Sequence, residues 1–295
     1  MSGVAIDGPL VAAEPAAIDP VVALPSRWRR VLRSASFIVG AVILLFWIGC
    51  ALFGPWLVPL DPYRDDLMHT LAPPSALHWF GTDQIGRDIF ARIIVGARPI
   101  LSVAPLATLI ATVAGTTVGL FTGYVGGVID LLLGRLIEVL LALPLIVVAL
   151  LVLVALGPSS GTVIAVIGII FTPLIARTVR SAVLAERAHD YVDAAELRGE
   201  GTLRIMFFEI LPNVLPPILV ETTVRLGYAI FTVASLSFLG FGIQPPSADW
   251  GLSISENYGM ITGGYWWTVA FAAGSTASLV VAVNLVADGI QSALE

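Results

Sequence analysis

Six runs of apolar residues, each long enough to cross the hydrocarbon core of a bilayer, constrain this chain more than any other feature. They fall at about residues 36–58, 99–124, 128–156, 161–179, 210–239 and 265–287. A membrane-spanning helix needs roughly 20 predominantly apolar residues. Hydrophobic residues make up 57% of the chain and charged residues only 12%, with a mean hydropathy of +0.94. A soluble fold has too little polar surface to hide such runs. Turn-forming clusters separate several of them, at residues 123–127, 157–161 and Pro245-Pro246. The expected fold is all-α, a polytopic membrane protein with about six transmembrane helices.

The charges set the orientation. All 15 basic residues are arginine. Arg27, Arg29, Arg30 and Arg33 precede the first run, which is too long for a signal-peptide core and lacks a small-x-small cleavage site, so it reads as an uncleaved first span. With the N-terminus inside, the inner side also holds Arg135, Arg177, Arg180, Arg187, Arg198 and Arg204, ten arginines in all. The outer side holds four, Arg64, Arg87, Arg92 and Arg98. Arginine is retained on the cytoplasmic side, so both termini are expected there. Residues 1–33 form an Ala/Pro-rich and then basic tail that cannot bury a core, 34–98 a first span with its outer loop, and 99–295 the main transmembrane domain.

Two polar segments remain once the spans are removed. The inner one, 180–209, predicts two short helices joined at 199–201, because Ala, Glu, Leu and Arg favour helix and the glycines allow a bend. Ala194 and Ala195 would offer another protein a face of close approach, and Pro212 would open the next span. A stiff docking protrusion and an ordinary connecting loop both fit. In the outer loop, 59–97, Asp83 and Arg87 are four apart, as are Asp88 and Arg92, a spacing that pairs them on a helix face. Exposed pairs of this kind contribute only about 0.3–0.5 kcal/mol. The loop reads equally as a contact for an outer partner, or cap of a pore, and as a segment satisfied by its own helices. Within the fifth run, Glu221 and Arg225 form an intramembrane polar pair at the same spacing, either structural or on a translocation path. Arg135 and Glu138 lie near the inner end of the third run and can snorkel, and Pro144 and Pro216-Pro217 should interrupt their helices locally.

The inner segment resembles the EAA signature of ABC importer permeases, in Asp193-Ala194-Ala195, Gly199 and Ile210-Leu211-Pro212, with Asp193 where glutamate is usual. The outer segment Gly81-Thr82-Asp83-Gln84-Ile85-Gly86-Arg87-Asp88, continuing to Gly96-Ala97-Arg98, is similar to the C-type permease of the dipeptide, oligopeptide and nickel importers. So are Leu236-Ser237-Phe238-Leu239-Gly240-Phe241-Gly242-Ile243-Gln244-Pro245-Pro246 with Asp249-Trp250-Gly251, and Asn284-Leu285-Val286-Ala287-Asp288-Gly289-Ile290. The tail departs from the family pattern at Ala287, Gln291 and Ser292. The resemblance implies a type I ABC importer permease fold in the cytoplasmic membrane. Residues 189–212 would then couple to ATPase subunits through Asp193, Ala194, Ala195, Glu196, Arg198, Gly199, Leu211 and Pro212. It also implies a homologous permease as heterodimer partner, two ABC ATPase subunits or one fused ATPase, and an outer substrate-binding protein that meets the loop of Asp83, Arg87, Asp88 and Arg92.

Several chemistries are absent from the sequence. With no lysine there is no phosphate-binding Gly-x4-Gly-Lys-Ser/Thr loop, so ATP and Mg would be bound by the partner subunits. His69, His78 and His189 lie on two sides of the membrane without metal-ligand spacing, and Cys50 is alone. No basic patch points to nucleic acid. The chain is expected to be a non-enzymatic subunit translocating di- or oligopeptides, with nickel chelates or other small solutes as the alternative. A stand-alone secondary transporter would want an inverted repeat and ion-coupling acids, and neither is evident.

Overall fold

A computed structural model describes residues 34–294. The basic cluster Arg27, Arg29, Arg30 and Arg33 lies outside the described residues. Nine helices carry the described part: α1 (Ala35–Leu57), α2 (Ile89–Tyr124), α3 (Gly127–Ala142), α4 (Leu145–Leu156), α5 (Ser160–Glu186), α6 (Asp190–Leu197), α7 (Thr202–Phe238), α8 (Trp250–Asn257) and α9 (Trp267–Leu294). Five are long and apolar enough to span a membrane, and α3 with α4 forms a sharply bent pair that brings the number to six if it counts as one span.

That bent pair corrects the reading of 128–156 as one run. The two halves meet at 89° across Leu143-Pro144. Pro144 has no N–H to give the preceding turn, and its ring drives Leu143 into extended backbone (φ −90, ψ 140). The second span also begins earlier than its apolar run. Asp88 caps it by accepting from the Ala91 N–H, so Arg92 and Arg98 lie inside α2 rather than in a loop. The second short inner helix is not separate either: it runs into α7 through a π turn at Ile205–Ile210. There the Leu211 N–H reaches back to the Met206 carbonyl, widening the ladder immediately before Pro212. Pro216 and Pro217, by contrast, sit within continuous helix.

The centre of the bundle is the α2–α5 contact, set by a row of small residues. Gly115, Gly119 and Gly123 recur every four positions and face Ile175, Val179 and Val183, which share that spacing on α5. A Cβ on Gly119 would stand 2.6 Å from the Val179 Cβ, and one on Gly115 would stand 2.7 Å from the Ile175 Cβ. Without hydrophobic driving force between helices in lipid, this close approach is how the pair gains dispersion contacts. Aliphatic side chains on α1 (Val42, Leu45, Leu52), α3 (Leu131, Leu132, Val139) and α4 (Leu151, Val154) are exposed, the surface a bilayer or a partner helix would cover.

Candidate coupling surface, outer cap and intramembrane pair

At the end of the bundle that carries the 180–209 segment, α6 is a short helix held at both ends by local chemistry. Asp190 and Asp193 lie in its first turn, where negative charge suits the helix dipole. Its C-terminus closes on Gly199 at φ +77, with Gly199 N–H to Glu196 O and Glu200 N–H to Ala195 O, a Schellman turn that favours glycine. Val192 and Ala195, three apart, point inward and join Ile205, Met206 and Ile210 in the core. Side chains then lash α6 to the spans. The Tyr124 hydroxyl at the end of α2 donates to Glu196 (2.9 Å), under the Arg187 guanidinium. The Tyr191 hydroxyl donates to Glu186 of α5 (3.0 Å) and accepts from Asn213 of α7 (3.1 Å).

The structure therefore divides the predicted coupling residues. Asp193 and Ala194 are exposed, whereas Ala195 is 0% exposed and packs into its own chain, which corrects its placement on an open alanine face. Glu196 is bound by Tyr124, and Arg198 by Glu200 (2.8 Å) and Glu209 (3.7 Å), so both already have internal partners. Leu211 is half-buried and Pro212 exposed beside the π turn. The most prominent apolar group on this surface is Leu197, 89% exposed, with Leu203 and Phe208 nearby in sequence and also exposed. Sequence reasoning passed over these three; a bare leucine in an otherwise charged short helix was the available signal.

At the opposite end of α2, Asp83 and Arg87 do pair (2.6 Å), though in a loop rather than on a helix. Asp83 also accepts from the Ile85 and Arg87 N–H groups. Arg87 continues to Glu256 of α8 (2.5 Å), and Arg92 stands 3.8 Å from the same carboxylate while donating to the Ser247 and Pro62 carbonyls. Asp88 and Arg92 do not pair, contrary to their spacing: Asp88 caps α2 and takes His78 Nδ1 at 2.9 Å. Asp83, Arg87, Asp88 and Arg92 are all buried. Opposite charges alternate through this group, so it neutralises itself and sews the 58–88 loop onto α8. Burial removes these four as direct contacts for an outer partner; Tyr63, Leu67, Met68, Leu77 and Trp79 are exposed apolar or aromatic groups of that loop.

Within the membrane, Arg225 Nε donates to Glu221 at 2.5 Å, with side-chain exposures of 19% and 14%. The pair lies near the middle of the Leu211–Phe238 portion of α7, and the next residue to Glu221, Thr222, bonds Thr112 of α2 (3.1 Å). Arg135 and Glu138 form an exposed ion pair at 3.0 Å.

Residues 115–295 match the family described as the binding-protein-dependent transport system inner membrane component. The chain belongs to that family of permeases. Residues 26–74 of the permease match the N-terminal transmembrane domain of oligopeptide transport permease C. The permease is 40% identical over 268 residues to the dipeptide transport system permease protein DppC of Bacillus subtilis, covering 91% of this chain and 84% of that one. It is 39% identical over 274 residues to the protein of the same name from Alkalihalophilus pseudofirmus, covering 92% and 90%. The di/tripeptide transport system permease protein DppC of Pseudomonas aeruginosa is 35% identical over 289 residues, 95% of each chain.

One further carboxylate in the permease's outer cap carries a pH prediction. Asp249 caps α8 through Oδ1, which accepts from Leu252 N–H at 2.9 Å, while its buried Oδ2 has no hydrogen-bond partner. Burial pushes this acid up to about 6 from the ordinary 3.8. Folded protein thus holds a proton that unfolded chain releases between those values. Stability from this group is present below pH 3.8 and is lost as pH rises through about 6. Its full extent is on the order of 3 kcal/mol. Asp249→Asn keeps the cap without the charge, so its melting temperature is expected to exceed the parent's at pH 7 and to lack the decline across that window. Parallel melting curves from pH 4 to 8 check this.

Proposed function

We propose that this permease forms one half of the pathway of an ATP-driven importer that brings dipeptides and oligopeptides across the cytoplasmic membrane. A homologous permease completes the pathway. Two ATPase subunits, or one fused ATPase, bind ATP and Mg and dock on the inner face, and an outer binding protein delivers the substrate. Family membership and the peptide-transport names of the relatives support the importer and its substrate class. Both termini are cytoplasmic in this reading, because Arg135, Arg177, Arg180, Arg187, Arg198 and Arg204 share the side of α6.

The observation that carries the mechanism is the union of an exposed docking face on α6 with side-chain ties to α2, α5 and α7. A helix joined to three spans moves them when the ATPases move it. The resulting shift between inward and outward states is limited by the differential free energy those partners contribute. The binding protein meets the outer loop through Met68, Leu77 and Trp79, over a core stiffened by Asp83, Arg87, Asp88 and Arg92.

Uptake of labelled dipeptides by cells with and without the gene tests the function. Loss of uptake on deletion and recovery on complementation is the expected result; undiminished uptake, with no other peptide importer present, sinks it. Tyr124→Phe removes the hydroxyl that holds Glu196 while leaving the docking face intact. It is expected to lower peptide moved per ATP several-fold, the consequence of losing a charge-assisted bond of about 1.5–3 kcal/mol. Transport and hydrolysis measured together in proteoliposomes give the ratio; a value equal to the parent's would mean this tie carries no motion.

A further inference from the structure

Arg225 is engaged on one face and one edge only. Its guanidinium lies 5.4 Å from the centroid of the Tyr228 ring, which occupies the face, and its Nε is taken by Glu221. Neither terminal nitrogen has a hydrogen bond among the described residues. Arg225 and Tyr228 line a cleft of about 340 Å³ between α4, α5 and α7, whose other walls include Ala149, Phe171, Leu174 and Thr232. A guanidinium edge left without partners in an apolar cleft at membrane depth is costly. In the assembled importer, water, a group of the partner permease or a passing solute must satisfy it.

We propose that this free edge is a transient subsite for the terminal carboxylate of a peptide in transit. The assignment rests on the peptide-import reading and deepens it. Two parallel N–H donors match a carboxylate in the forked geometry that an ammonium group cannot reproduce. Every linear peptide with a free C-terminus carries that group whatever its side chains, so the subsite reads the backbone terminus rather than the sequence. Glu221 keeps the site neutral before and after a zwitterionic substrate passes, and it offers the peptide's ammonium a carboxylate of its own. A shared guanidinium also holds the peptide weakly enough to release it, as passage requires. Apolar walls favour apolar over charged side chains only in a graded way, so the single polar anchor reads the terminus.

The test uses the complete importer, with its partner permease, ATPases and binding protein, in proteoliposomes. Single removal of Arg225 would strand Glu221. The main variant is therefore Glu221→Gln with Arg225→Gln, and Arg225→Lys is the conservative one. Dialanine uptake per ATP is expected to fall about 10-fold in the double variant, the factor that follows from losing a charge-assisted pair. Binding-protein-stimulated ATP hydrolysis should stay near the parent's, and Arg225→Lys should recover part of the uptake. A Thr232→Cys reporter, with Cys50 buried and silent, adds a readout that a structural role would not move. During turnover dialanine should slow its labelling by a water-soluble maleimide in the parent and not in the double variant.

Unchanged uptake and unchanged protection in the double variant would overturn the subsite while leaving peptide import standing. Loss of complex assembly or of stimulated hydrolysis in both variants would also overturn it, assigning the pair a structural role. Absence of dialanine uptake by the parent importer would instead remove the peptide-import reading on which the subsite depends.

Discussion

Leu197→Asp is expected to strip the ATPase subunits from the purified importer, lowering their retention by about 10- to 100-fold and peptide uptake with it. Leu197 is 89% exposed at the end of α6. A leucine so placed gains nothing from its own chain, and covering it in a partner's groove is worth about 1.5–3 kcal/mol. Each 1.4 kcal/mol is tenfold in affinity, and a carboxylate at that point adds a desolvation cost of its own. The fold should be indifferent to the change, so an unaltered melting temperature in detergent is the matched control. Normal ATPase retention and uptake in a stable variant would end the assignment of α6 as the coupling element. Ala195→Glu would not make the same test. Ala195 is wholly buried beside Ile205 and Met206, and charge there would disrupt α6 before any partner met it.

The second large effect lies in the bundle. Gly119→Leu is expected to prevent accumulation of folded permease in the membrane. Even the first added carbon would stand 2.6 Å from the Val179 Cβ and 2.8 Å from the Ala176 carbonyl, distances that force the α2 and α5 backbones apart. Overpacking by small increments costs about 1–3 kcal/mol, and a leucine here also displaces Gly115 and Gly123 from their own contacts. Gly119→Ala should therefore fold with a lowered melting temperature, and Gly119→Leu should be lost on size-exclusion chromatography of detergent extracts. Gly134→Ala on α3 supplies the contrast, since no atom lies within 4 Å of its added carbon. There the loss of backbone freedom in the unfolded chain should make the change neutral or slightly stabilising. A Gly119→Leu protein with parental yield and melting behaviour would show that the glycine row does not set the α2–α5 distance.

The coupling segment shows how far local pattern carries. Gly199 could be placed from the sequence, because a helix-ending glycine leaves a local mark; Pro212 could not, since it lies inside α7 rather than opening the span. Which alanine faces outward could not, since α6 is only eight residues long. Its rotation is fixed by where Val192 and Ala195 meet the π turn of α7. The outer loop shows the complementary failure. Spacing of four paired Asp83 with Arg87 correctly but for the wrong reason, as no helix is present there. It mispaired Asp88 with Arg92, because the carboxylate had a helix to cap and a histidine to hold.

What the sequence by itself determined was the all-α membrane fold of several spans and its permease family. Hydrocarbon thickness is a one-dimensional criterion that a run of residues meets or fails, and four spaced motifs carry the family. Only the tertiary structure decided the 89° break at Pro144, the glycine row against α5, and the choice of ion-pair partners. Arg87 reaches Glu256 across 169 residues of sequence. Partner choice among charges depends on distance and burial, which the fold brings about and linear spacing does not contain.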